Sequence, residues 1–337
     1  MQLLNASLLR SRSKDMLQTN PDHRRLVLMH SGIIILADLL VAALTFLLDY
    51  WLNAATGLGN LGVRSGISTA QTLLSMAYSL AIGFWQFGYL QVALQQARGR
   101  TADPKELTTG FRLFFPALKL HILRYIILFA VVFGCIYGGT LILTMTPLSN
   151  KAYELLLPVM EAGGDITAID PALILDAMIP MFIGYAVLLL TIGVPVFYRL
   201  RLAEYVLLDN PEAGARHAIR QSRRLTKGNC FRLFLLDLHF WWFYLLEAVI
   251  GALFCFGMLL PALGVPISET ASYFVSFIVY LGLQLALYTW KKSELQTTYA
   301  LAYESLLLSK DNGQLTIDNY FRPPLHCTST KPPLPKG

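Results

Sequence analysis

The chain has 337 residues, of which 55% are hydrophobic and only 14% charged, with a mean hydropathy of +0.52 and a formal net charge of +6. Soluble domains carry about 25% charged residues, so this composition excludes a large water-soluble domain and makes lipid the main solvent of the fold. The excess of positive charge is not a nucleic-acid signal, because it tracks the arrangement of apolar runs rather than a basic domain.

Residues 1–25 read as a cytoplasmic interfacial segment. Positions 3 to 17 predict a helix that sets Leu4, Leu8 and Leu9 against Arg10, Arg12 and Lys14. Crossing a bilayer takes about 20 apolar residues. Six stretches reach that length: Leu26 to Leu48, Thr72 to Val92, Ile122 to Met145, Met178 to Tyr198, Leu233 to Leu260 and Tyr273 to Trp290. The first is too long for the apolar core of a cleaved signal peptide, which runs about 7–15 residues. Of the 27 Lys and Arg residues, all but Arg64 and Lys151 fall on one side of these stretches. Short loops rich in Lys and Arg stay in the cytoplasm during insertion. The expectation is therefore an all-α, polytopic membrane protein with six transmembrane helices and both termini inside (N-in/C-in). The opposite side is acidic, with Asp49, Glu154, Glu161, Asp165, Asp170, Asp176 and Glu269. Residues 26–309 form the membrane domain, in which 291–309 continue the sixth span along the membrane surface. Residues 310–337 are a Pro-rich cytoplasmic tail whose composition predicts disorder.

A duplication runs through the middle of the chain. Thr109-Gly110-Phe111-Arg112-Leu113-Phe114-Phe115 recurs as Gly228-Asn229-Cys230-Phe231-Arg232-Leu233-Phe234-Leu235. Asp103-Pro104 precedes the first copy and Asn210-Pro211 the second, each predicting a helix start that Gly110 or Gly228 would close. The repeated unit is a two-helix one, span–corner–span, and its two copies would be related by a twofold axis along the membrane normal.

Few residues could carry chemistry. Asp38 lies near the middle of span one, and a carboxylate there costs roughly 2.5–3.5 kcal/mol. Glu247 is the other deep acid, and His239 and Glu247 are 80° apart if span five is one helix. Asp38, Glu247 and His239 are therefore the candidate midplane polar site. Two readings stand: a proton or cation site, or hydrogen-bonded packing between spans, with Asp237 and His239 bonding lipid or local backbone. Gln86, Gln91 and Gln284 are uncharged but lie within spans, where interhelical hydrogen bonding is their expected role. Gly134 and Gly138, followed by Gly139, form a Gly-xxx-Gly pair suited to close helix packing within or between subunits. Arg216, Arg220, Arg223, Arg224 and Lys227 share one face of a helix, with Ala215, Ala218, Ile219, Ser222 and Leu225 opposite. That basic amphipathic helix is the candidate site for anionic lipid of the inner leaflet. The four cysteines form neither a disulfide framework nor a metal-binding pattern.

Residues 217–229, His-Ala-Ile-Arg-Gln-Ser-Arg-Arg-Leu-Thr-Lys-Gly-Asn, followed by Phe231-Arg232-Leu233-Phe234-Leu235-Leu236-Asp237-Leu238, resemble the signature of the bacterial DUF975 family of multi-span membrane proteins. The resemblance covers roughly residues 180 to 262. His239 and the Trp241-Trp242 pair depart from the usual pattern. It implies a bacterial plasma-membrane location and no particular chemistry.

No phosphate loop, His-Glu-x-x-His, Cys-x-x-Cys or nucleophile elbow is present. The expected role is non-catalytic, binding lipid or a membrane-protein partner, a second copy included, with no cofactor, metal or nucleic acid. The alternative is an ion or small-molecule transporter using the midplane acids. A lipid-modifying membrane enzyme is disfavoured by the missing motifs.

Overall fold

A computed structural model describes residues 5–20, 22–56, 61–146, 150, 154–155, 157 and 171–311. The acids Glu161, Asp165 and Asp170 and the tail from residue 312 lie outside the described residues.

Every element among the described residues is helical. In chain order they are α1 (Ala6–Thr19), α2 (His23–Thr56), α3 (Leu61–Ala97), α4 (Thr109–Arg112), α5 (Phe114–Phe133), α6 (Gly139–Thr144), α7 (Pro171–Leu188), α8 (Val194–Leu200), α9 (Ala203–Asp209), α10 (Gly214–Thr226), α11 (Cys230–Leu238), α12 (Trp241–Leu259), α13 (Glu269–Leu287) and α14 (Ser293–Asp311). Short π-helical stretches at Gly134–Gly138, Leu189–Gly193 and Tyr288–Lys292 join α5 to α6, α7 to α8 and α13 to α14. Among the described residues, five helical stretches are long and apolar enough to cross a membrane: His23–Trp51, Phe114–Ile142, Asp176–Asp209, Trp241–Leu259 and Thr270–Ser309. Their outward faces carry large exposed apolar side chains such as Leu36, Phe129, Ile183 and Ile278, as lipid contact requires.

Helix α3 is not among the five, although its 37 residues extend about 55 Å. Thr72, Ser75, Ser79, Gln86 and Gln91 dilute its hydropathy. Thr72, Ser75 and Ser79 are exposed and Gln86 and Gln91 half-buried, and α3 packs on both α2 and α14. Its approach to residues 104–112 rests on two glycines. A Cβ on Gly88 would collide with the carbonyl oxygen of Leu107, and a Cβ on Gly110 with that of Phe84. Gly110 therefore does not close a helix. It lies inside α4 and serves close packing, whereas Gly228 does follow the end of α10, with φ +82°.

The tightest packing lies in α14 and around it. Ser293, Glu294, Thr297, Thr298, Tyr299, Ala300, Leu301, Ala302, Tyr303, Glu304, Ser305 and Leu306 are all buried. The expected surface helix is instead a central post, covered by α1 and α3. The apolar spacing of Leu295, Tyr299, Ala302, Tyr303 and Leu306 was only one side of a helix buried all round. Its acids are paired, as buried charges must be. Glu294 accepts from Arg10 at 2.7 Å and from Lys291 at 2.6 Å, and Glu304 accepts from Arg98 at 2.7 Å.

The same packing corrects the reading of the N-terminal segment. Leu9 and Ser13 of α1 are buried, Thr298 Oγ1 donates to Ser13 Oγ at 2.9 Å, and the Arg10 guanidinium lies 5.2 Å from the Phe240 ring centre. Helix α1 is docked on protein through the arginine that amphipathicity had turned toward lipid headgroups.

Candidate functional site

Helix α10 matches its expected faces. Ala215, Ala218, Ile219, Ser222 and Leu225 are buried, and Arg216, Arg220, Arg223, Arg224 and Lys227 are exposed. Gly214, at φ +78°, and Gly228 bracket it, conformations that a residue with a Cβ adopts only with strain. The small alanines let it lie close on α5 and α9. Ser222 Oγ donates to the Arg199 carbonyl at 2.8 Å and ties α10 to α8.

The exposed face forms one wall of a groove of about 620 Å³, lined by Arg199, Arg216, Arg220, Arg223, Arg224 and Lys227 together with the aliphatic Leu123, Ile127 and Ile219. A second hollow of about 540 Å³ continues it past Leu123 and Arg216 to Lys119, Ile122 and Ile126. No carboxylate among the described residues lies within ion-pair distance of the six cations of the first groove. Guanidinium groups match phosphate oxygens two at a time, and the aliphatic floor suits the apolar part of a lipid. Two contributions could not be read from α10 alone. Arg199 comes from α8, and the floor comes from α5, about 100 residues earlier in the chain.

The midplane candidates divide. Asp38 accepts a hydrogen bond from Tyr78 of α3. Glu247 accepts from Tyr288 at 3.0 Å, and Tyr288 in turn accepts from Gln284 at 3.0 Å. Each of the two acids is thus held by a tyrosine from another helical stretch. His239 does not join them. Span five breaks at His239-Phe240 into α11 and α12, so the 80° relation between His239 and Glu247 does not hold. The His239 ring is exposed and its Nδ1 lies 2.9 Å from its own helix's Leu235 carbonyl.

Asp237 is more heavily partnered than any of these. It accepts from Tyr198 at 2.6 Å, from Tyr244 at 2.9 Å and from Tyr299, with the Arg201 guanidinium at 3.9 Å. Arg201 also lies 4.4 Å above the Tyr299 ring. Its donors come from α8, α12 and α14 and the turn after α8, so nothing local to Asp237 announces the cluster.

Within the chain, Gly134 and Gly138 make no close helix contact among the described residues: a Cβ on either meets nothing within 4 Å. Both lie in a π-helical stretch, which rotates them off the expected face. The close approach falls to their neighbour Gly139, against Leu188 and Tyr185.

The architecture is that of an all-helical protein with several helices long and apolar enough to cross a membrane, and with a basic groove that no carboxylate among the described residues neutralises. The family described as "protein of unknown function (DUF975)" matches residues 4–310, and the chain belongs to that family. The match extends the resemblance seen at residues 180 to 262 over nearly the whole chain. No curated protein and no solved structure matches it.

Proposed function

We propose that this protein is a non-catalytic, six-span protein of the bacterial plasma membrane that holds an anionic phospholipid of the inner leaflet in the groove between α5 and α10. The observation that carries this reading is the groove itself, with six cations, an aliphatic floor and no neutralising carboxylate among the described residues. In this arrangement α3 is the second span, and both termini lie on the side of the basic residues. The two Phe-Arg-Leu-Phe corners are copies of one unit. Phe111, Arg112, Phe231 and Arg232 are exposed while Leu233 is buried and Leu113 half-buried, a pattern that supports equivalent placement of both corners at the headgroup level.

The test is native mass spectrometry of the detergent-solubilised protein titrated with phosphatidylglycerol, phosphatidylcholine or inorganic phosphate. The expected result is retention of phosphatidylglycerol that is lost in a triple Arg220→Gln, Arg223→Gln, Arg224→Gln variant, with phosphatidylcholine unaffected. Equal retention of both lipids, or of phosphatidylglycerol by both proteins, overturns the proposal. Displacement by phosphate alone assigns the groove to a soluble anion, and a protein that co-purifies with the parent but not with the variant assigns it to a partner.

A further inference from the structure

The basic groove does not end with its six cations. The second hollow adds Lys119 of α5 and runs past Ala213, Gly214 and Ala215 at the start of α10. Among the described residues, no carboxylate lines either hollow. The two hollows share Leu123 and Arg216, so they are two halves of one site with Arg216 between them. No side chain caps the first turn of α10, whose positive end borders the second half and adds to the two cations there.

Helix α5 is divided in the same way. Lys119, Ile122 and Ile126 lie on one row, at steps of three and four residues, and Leu123 and Ile127 lie on the next. Ile122 and Ile126 are exposed, and Leu123 and Ile127 are half-buried. Each half of the site thus joins cations at the inner end of α5 to an aliphatic track that runs toward the middle of its span. A lipid with one phosphate has one anionic head and one pair of chains, which fills one half. Seven cations this close repel one another more than a single phosphate offsets. Two separate lipids would each lose their own freedom on binding, whereas a bridge between two phosphates makes the second contact intramolecular. Along α10, Arg216 and Arg220 are about 6 Å apart and Arg216 and Arg223 about 10 Å, a spacing within reach of a short bridge.

We propose that the site takes one diphosphate lipid, in which two phosphatidyl groups are joined by a short bridge as in cardiolipin. The inference rests on the lipid reading of the groove and names the class of lipid. One phosphate lies among Arg199, Arg220, Arg223, Arg224 and Lys227. The other lies between Lys119, Arg216 and the first turn of α10. Each pair of chains follows its own row on α5.

The experiment is native mass spectrometry of the full-length, detergent-solubilised protein with equimolar cardiolipin, phosphatidylglycerol and phosphatidylcholine, for the parent, Lys119→Gln and Arg112→Gln. Lys119 and Arg112 are both exposed, and Arg112 lines neither hollow. The expected result is one cardiolipin per protein, preferred over phosphatidylglycerol by about 100-fold. Lys119→Gln should lower that preference about fivefold, the effect of one cation beside an anionic headgroup, and Arg112→Gln should keep it. A parent that selects phosphatidylglycerol over phosphatidylcholine but shows no preference for cardiolipin overturns this inference and leaves the single-phosphate reading standing. So does a pair of phosphatidylglycerol molecules that replaces one cardiolipin without loss of affinity, or a preference unchanged in Lys119→Gln. Binding of neither anionic lipid above phosphatidylcholine overturns both readings.

Discussion

Arg98 and Asp209 meet through two hydrogen bonds, of 2.7 and 2.8 Å, although 111 residues separate them in the chain. Arg98 also bonds Glu304 at 2.7 Å, and Tyr303 donates to Asp209 at 2.7 Å. One guanidinium thus ties the end of α3 to α9 and α14. Burial works against its charge, but the hydrogen bond to Asp209 and the nearby Glu304 outweigh it, and its pKa lies above the ordinary guanidinium value. Arg98→Met leaves two carboxylates facing each other without a cation and should destabilise the protein by about 3 kcal/mol. Adding Glu304→Gln should recover part of that loss. Thermal unfolding in detergent, followed by intrinsic fluorescence, checks both. Equal melting of Arg98→Met and the parent would refute the clamp.

Asp237→Ala removes the acceptor of three tyrosine hydroxyls and leaves the Arg201 charge without its nearest carboxylate. The expected cost is about 3 kcal/mol. His239→Ala, two residues away and exposed, should stay within about 0.5 kcal/mol of the parent. The same melting assay distinguishes them, and the reverse order of effects would show that the cluster is not structural.

The glycines yield an opposed pair of outcomes. Gly88→Ala and Gly110→Ala set a methyl against a backbone carbonyl that cannot swing away, so both should lower the yield of folded protein sharply. Gly134→Ala and Gly138→Ala meet open space. They should be neutral or stabilising by up to about 1 kcal/mol, since Ala is the better helix former. Size-exclusion profiles of the four variants after detergent extraction read the difference.

In the basic groove, each cation beside an anionic headgroup contributes about 1 kcal/mol. The triple Arg-to-Gln variant should then bind phosphatidylglycerol about 100-fold more weakly. A triple Arg-to-Lys variant keeps the charge but loses the paired guanidinium geometry, so it should fall between the two. Because exposed charges are screened within about 8 Å at physiological ionic strength, binding should weaken as salt rises. Lipid titrations at two salt concentrations test all three statements.

How much was legible depended on the range of the force responsible. The two faces of α10 follow from a 3.6-residue period, a property of adjacent residues, and they were correct side chain by side chain. The apolar length of the other spans was legible for the same reason, because hydropathy sums over neighbours. The break at His239-Phe240 was not, and with it went the inferred alignment of His239 with Glu247. The π-helical turn at Gly134–Gly138 likewise displaced a packing role by one residue, onto Gly139.

By itself, the sequence determined the class of protein, the family, the apolar helices and the basic face of α10, since solvent preference and helical period act over a few residues. Only the tertiary structure decided that α14 is buried all round, that Arg10 turns inward to Glu294, that Arg199 and the α5 aliphatics complete the groove, and that Asp38 pairs with Tyr78 and Glu247 with Tyr288. A charge or hydroxyl on a membrane helix must find a partner, but the partner comes from whichever helix packs beside it, and that packing is a property of the whole chain.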